Sequence, residues 1–227
     1  MSIFNSLNNI LPFLGAVLGM GIGYKIRDKS SNGLKLILSF SGAFLLGVTI
    51  FHLMPEVFSK VNNKPGLWIV SGIILQILLE YLSQGTEHGH SHIKSNEYLP
   101  WVLFLSLCLH AFIEGLPLGH ESSLVWGIFI HKIPIGMVLF YMIWDTKISK
   151  ILKITALFIF AIMSPFGSIT LEYNDALQNY QTQITAIVIG MLLHIATTIL
   201  FESNQGHAFN IRKLFSILLA FLISYFI

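Results

Sequence analysis

Residues 99–119 read LPWVLFLSLCLHAFIEGLPLG, and residues 123–144 read SLVWGIFIHKIPIGMVLFYMIW. Each run is apolar over the roughly 20 residues a helix needs to cross a bilayer. Yet the first carries His110 and Glu114, and the second His131 and Lys132. Ionisable side chains at bilayer depth are costly, and they face a bundle interior where they pair or serve a pathway. Four residues apart on a helix, His110 and Glu114 share one face. The short joint His120-Glu121-Ser122 makes the two helices antiparallel neighbours, with His131 at a similar depth to His110. Two imidazoles and a carboxylate so placed suit a divalent metal. The competing reading is a polar pair that stitches helices together. A carboxylate at that depth needs a positive partner in either case, and a metal or Lys132 can supply it.

Composition agrees with lipid as the solvent. Of 227 residues, 54% are hydrophobic and only 11% charged, against about 25% charged in a soluble domain. The net charge of +2 says nothing about nucleic acid, and no such partner is expected. A single cysteine, Cys108, lies inside an apolar run, so neither an intramolecular disulfide nor redox chemistry is expected. The first nine residues hold no Lys or Arg and no small-residue cleavage site follows, so the first segment reads as a retained helix.

Eight stretches are long and apolar enough to span: 9–25, 34–58, 66–82, 98–119, 123–144, 151–171, 182–202 and 211–227. The expected fold is therefore an all-α integral membrane protein of eight transmembrane helices, one domain over 1–227, with a loop at 83–97. Orientation follows from positive charge, which stays on the cytoplasmic side. With the N-terminus outside, the inner joints hold Lys25, Arg27, Lys29, Lys35, Lys94, Lys147, Lys150, Lys153, Arg212 and Lys213. The outer joints hold only Lys60 and Lys64, so both termini are expected outside. The 83–97 loop is then cytoplasmic, and its His88, His90 and His92 in a Gly/Ser setting suit loose, exchangeable metal binding.

Other polar groups mark the remaining helices. His52-Leu53-Met54-Pro55-Glu56 closes the second segment, as a capture point for an incoming cation or as a solvated interfacial carboxylate. Glu202 and His207 read as solvated end residues, and His194 and Glu80 as structural groups bonding across the bundle. Pro134 kinks the fifth helix beside His131 by crowding the Ile130 carbonyl. Ser164-Pro165-Phe166-Gly167 is expected to break the sixth.

With H-x-x-x-E-G at His110–Gly115, H-x-x-P-x-G at His131–Gly136, S-P-x-G at Ser164–Gly167 and His-x-x-Pro-Glu at His52–Glu56, the chain resembles the ZIP family of divalent-metal transporters over almost its whole length. The resemblance implies eight helices, a metal site between the fourth and fifth, and movement of zinc, iron or related ions into the cytoplasm across the cell membrane. Many members hold two metals, with polar or acidic ligands where this chain has Ala111, Lys132, Ile135 and Ser164. The resemblance thus implies a single site of His110, Glu114 and His131, with Lys132 standing in for the charge of the second metal.

Two imidazoles and one carboxylate match zinc's habit of three protein ligands plus an open position, although iron, manganese and cadmium share such ligands. The leading expectation is a zinc-preferring transporter, with a homodimer as an option. A membrane-embedded metal hydrolase would use the same ligands, but it needs a general acid or base that only Lys132 could provide. A metal sensor that does not transport is the third reading.

Overall fold

The computed structural model describes residues 3–26, 32–60, 64–83, 101–202 and 211–227, and among these every regular element is helical. In chain order they are α1 (Ile3–Ile26), α2 (Asn32–Val48), a π turn (Thr49–Leu53), α3 (Met54–Lys60), α4 (Pro65–Ser83), α5 (Trp101–Gly115), a 3-10 turn (Leu116–Gly119), α6 (Ser122–Trp144), α7 (Lys150–Glu172), α8 (Asp175–Gln178), α9 (Gln181–Glu202) and α10 (Ile211–Tyr225). Among the described residues, seven stretches are long and apolar enough to cross a membrane. They are α1 from Asn8, α2 through α3 as one run from Gly33 to Lys60, α4, α5 with its 3-10 turn, α6, α7 and α9. The eighth stretch of the sequence is α10, whose 15 residues rise only about 22 Å against a hydrocarbon core of about 30 Å.

Prolines shape these helices without cutting them. Helix α7 runs unbroken from Lys150 to Glu172 through Pro165, which corrects the expected break. One proline forfeits one backbone bond, whereas a true break in an apolar bundle would strand several backbone groups with no water to serve them. Helix α6 likewise continues through Pro134. Pro55 acts differently. One residue upstream of it, the Met54 N–H donates to Thr49 O, a bond five residues back that widens the helix into a π turn carrying His52.

Between membrane helices lipid offers no hydrophobic drive, so close packing of small residues takes over. A Cβ on Gly19 of α1 would fall on the carbonyl of Ile133, and one on Gly136 of α6 would fall 2.5 Å from Ala16 O. Helix α1 is thereby pressed onto α6 opposite His131 and Lys132. In the same way Gly115 abuts Ser164, Gly167 abuts the Phe112 carbonyl, and Gly72 and Gly190 join α4 to α9. Gly19→Ala is expected to destabilise the bundle by about 1–3 kcal/mol through overpacking. Gly21→Ala, whose methyl meets open space, is expected to be neutral. Thermal unfolding of both variants in one detergent checks the pair, and equal stability of the two would count against this packing.

Two apolar clusters fill the interior. Along α6 one takes Leu124, Val125 and Ile128, and the other takes Ile135, Met137 and Leu139 to Ile143. His131 and Lys132 fall between them. On α5 one cluster holds Leu103, Phe104, Leu107, Cys108 and Ala111, while the other reaches Leu118 in the 3-10 turn. Along α5 and α6 the ionisable layer thus has packed hydrocarbon on either side.

Candidate metal centre

His110 and Glu114 project from the last two turns of α5, and His131 comes from the middle of α6. All three are buried, with Glu114 wholly enclosed. Each offers one ligand atom, and the three atoms lie within 4.8 Å of one another. Ligands on a tetrahedral zinc with bonds of about 2.0–2.1 Å stand roughly 3.3 Å apart, so small side-chain rotations would close the trio on an ion.

The surroundings prepare the ligands. His110 Nδ1 lies 3.0 Å from Gln76 Oε1 on α4, and a proton held there leaves Nε2 with its lone pair directed into the trio. That Nε2 faces Glu114 Oε2 at 3.2 Å. Ser41 Oγ on α2 sits 3.5 Å from His131 Nδ1 and orients the second ring in the same sense. The two imidazoles meet edge to face, with centroids 6.4 Å apart. From α7, Ser164 Oγ donates to Ala111 O at 3.0 Å and lies 3.4 Å from Glu114 Oε1.

An isolated carboxylate in such a place would cost several kcal/mol. Lys132 supplies the opposite charge: its Nζ is 2.5 Å from Glu114 Oε1, with only 2% of its side chain exposed. The ammonium also rests 4.5 Å from the centre of the Phe160 ring, a favourable cation–π position. Lys132 is among the largest fully buried side chains of the molecule and does not reach for an interface. Glu114 therefore presents one oxygen to the ammonium and the other to His110.

His52 and Glu56 are arranged differently from the trio. His52 Nε2 donates to the Ser224 carbonyl of α10 at 2.7 Å. Glu56 makes an ion pair with Lys60 one turn on, at an exposed position where such pairs are worth little. Its other neighbour is Glu121, a buried residue of the joint between the 3-10 turn and α6 that shares a hydrogen bond with it. His194 Nε2 meets Glu80 Oε2 at 2.5 Å, the cross-bundle bond the sequence suggested. His88, His90, His92 and His207 lie outside the described residues.

Burial, the hydrogen bond to Glu56 and the Glu56 charge together push the Glu121 carboxyl up to about 8, against the opposing pull of Lys60. A carboxyl raised on folding holds extra protons in the folded state, so stability falls as pH rises from the ordinary carboxylate range to about 8. Glu121→Gln is expected to flatten that slope. Thermal midpoints of both proteins between acid and mildly alkaline pH check it, and parallel curves would refute the assignment.

Sequence reasoning overlooked Gln76, Ser41 and Glu121. Gln76 was findable, being the one amide in the largely apolar span 66–82. The two others carry no local signal.

The fold and the trio define a multi-pass membrane protein with a buried cluster of metal-ligating side chains. Residues 81–227 match the family model described as ZIP Zinc transporter, and the chain belongs to that family. Protein zntD of Dictyostelium discoideum is 34% identical over 38% of this chain and 15% of its own length. The Zinc transporter ZIP13 homolog of Drosophila melanogaster is 30% identical, over 46% and 31% of the two chains. Zinc transporter ZIP13 of Bos taurus is 29% identical, over 38% and 24%. The matched stretch is thus less than a third of each of these relatives.

Proposed function

We propose that this chain carries a divalent metal ion, zinc foremost, across the cell membrane into the cytoplasm through one midplane site formed by His110, Glu114 and His131. The observation that carries the reading is the prepared trio: two imidazoles held by Gln76 and Ser41, and a carboxylate between them, inside a family of zinc transporters. Two nitrogens and one oxygen leave a fourth position open, as zinc at an exchangeable site requires. Iron, manganese and cadmium are competitors for the same ligands.

The full architecture belongs to this proposal: one domain over 1–227, α10 as an eighth crossing, and both termini outside, as the distribution of Lys and Arg supports. Lys132 takes the place of a second metal, its ammonium bonding the Glu114 oxygen that another ion would otherwise claim. His52 and Glu56 serve the outer entrance, and His88, His90 and His92 gather ions at the cytoplasmic mouth. A hydrolase is disfavoured because Lys132, the nearby candidate for proton transfer among the described residues, is committed to Glu114.

Zinc uptake by proteoliposomes tests the proposal. Wild-type protein should fill vesicles with zinc, whereas His110→Ala should reduce uptake to the protein-free leak. Equal uptake by the two proteins, or none by either, would refute it.

A further inference from the structure

The pair Glu80 and His194 stands apart from the trio but is joined to it. On α4, Gln76 is fully buried and touches His110, and Glu80 follows it by four residues on the same helix face. Four residues rise about 6 Å along the axis, so Glu80 lies one step nearer the Ser83 end of α4. There His194 of α9 meets it at 2.5 Å. Helix α5 is in step with this descent, since Ser106, one turn below His110, donates to Leu79 O at 2.7 Å. A polar file therefore runs from the trio through Gln76 to Glu80 and His194.

Exposure changes along the file. Gln76 and Glu114 are closed off, whereas the Glu80 and His194 side chains are 22% and 21% exposed. A carboxylate facing lipid would be expensive, so an opening at this depth is better filled by water than by acyl chains. An imidazole and a carboxylate in contact, on two different helices and partly exposed, form half of a zinc coordination sphere, with waters able to complete it. A clamp between helices needs neither that opening nor alignment with the trio.

We propose that Glu80 and His194 form a second, weaker site for the divalent cation, which receives it after the buried trio on the way to the Ser83 end. This inference rests on the transport reading above. Two ligands in place of three make it a site that binds briefly and releases. Imidazole and carboxylate must part from each other to take the ion, so each passage exchanges their mutual bond for two bonds to metal.

The test uses full-length protein in proteoliposomes with zinc as the probe. Glu80→Gln/His194→Gln keeps two polar side chains able to bond across the helices but removes both strong ligands. It should slow initial uptake at least fivefold while leaving zinc bound at the trio, and equilibrium dialysis should show the weaker zinc lost. His194→Cys provides the second arm, because a thiolate ligates zinc but cannot reproduce the imidazole–carboxylate bond. A relay predicts that His194→Cys keeps most of the rate where His194→Gln does not, with similar thermal midpoints. Should the double variant fail to fold, that comparison decides alone. Equal rates for Cys and Gln at position 194, or unchanged uptake in the double variant, would overturn the relay. Loss of transport in the wild type itself would instead remove the reading on which it rests.

Discussion

Replacing His110 or His131 with alanine is expected to weaken zinc binding at least a hundredfold and to abolish zinc uptake, with little change in stability. Each substitution removes one of three protein ligands. Loss of a mere outer partner of a ligand already costs about 10- to 100-fold, so Gln76→Ala should fall in that lower range. Glu114→Ala belongs in a different category. It removes a ligand and also leaves the Lys132 ammonium buried without its carboxylate, a change that costs about 3–5 kcal/mol. Isothermal titration with zinc, alongside thermal unfolding, separates the two kinds of loss. If both histidine variants kept full zinc affinity, the trio would not be the binding site.

Lys132→Met is expected to have opposite effects on the metal-free and metal-bound protein. Without metal, Glu114 loses the ammonium 2.5 Å away and the fold is destabilised by about 3–5 kcal/mol. With zinc bound, the variant is relieved of a repulsion. Two unit charges about 4 Å apart in an effective dielectric of about 20 interact by about 4 kcal/mol, and zinc carries twice the charge. Relaxation of the flexible lysine stem removes part of that, but zinc affinity should still rise at least tenfold. Zinc should then raise the thermal midpoint of Lys132→Met much more than that of the wild type. A smaller zinc-induced shift in the variant would mean that Lys132 does not act as a resident cation. Lys132→Asp extends the test, since it should raise the capacity for a second ion, with Ile135 leaving that position short of a ligand.

The sequence displayed the centre because ionisable residues are conspicuous against apolar spans. His110, Glu114 and His131 stood out by composition alone, and helical spacing placed two of them on one face. The partner of Lys132 was legible for the same reason, since a buried ammonium needs a carboxylate and Glu114 was the near one. The path of the helices through their prolines was less legible. Pro165 looks like a break in sequence, yet the cost of unsatisfied backbone keeps α7 whole and turns Ser164 into a bridge to α5. Glu121 was read as part of a joint, because nothing local reveals that Glu56 of α3 comes within hydrogen-bonding reach of it. Its partner Glu56 follows the π turn at Thr49–Leu53, a feature that the sequence does not announce.

The central claim is that one ion binds among His110, Glu114 and His131, and zinc anomalous scattering from crystals of the zinc-loaded protein tests it most directly. The account predicts a single strong peak between α5 and α6, within about 2.0–2.2 Å of two imidazole nitrogens and a Glu114 oxygen, with Lys132 still bonded to the other oxygen. Two peaks between those helices with Lys132 turned toward lipid, or no peak there at saturating zinc, would contradict it.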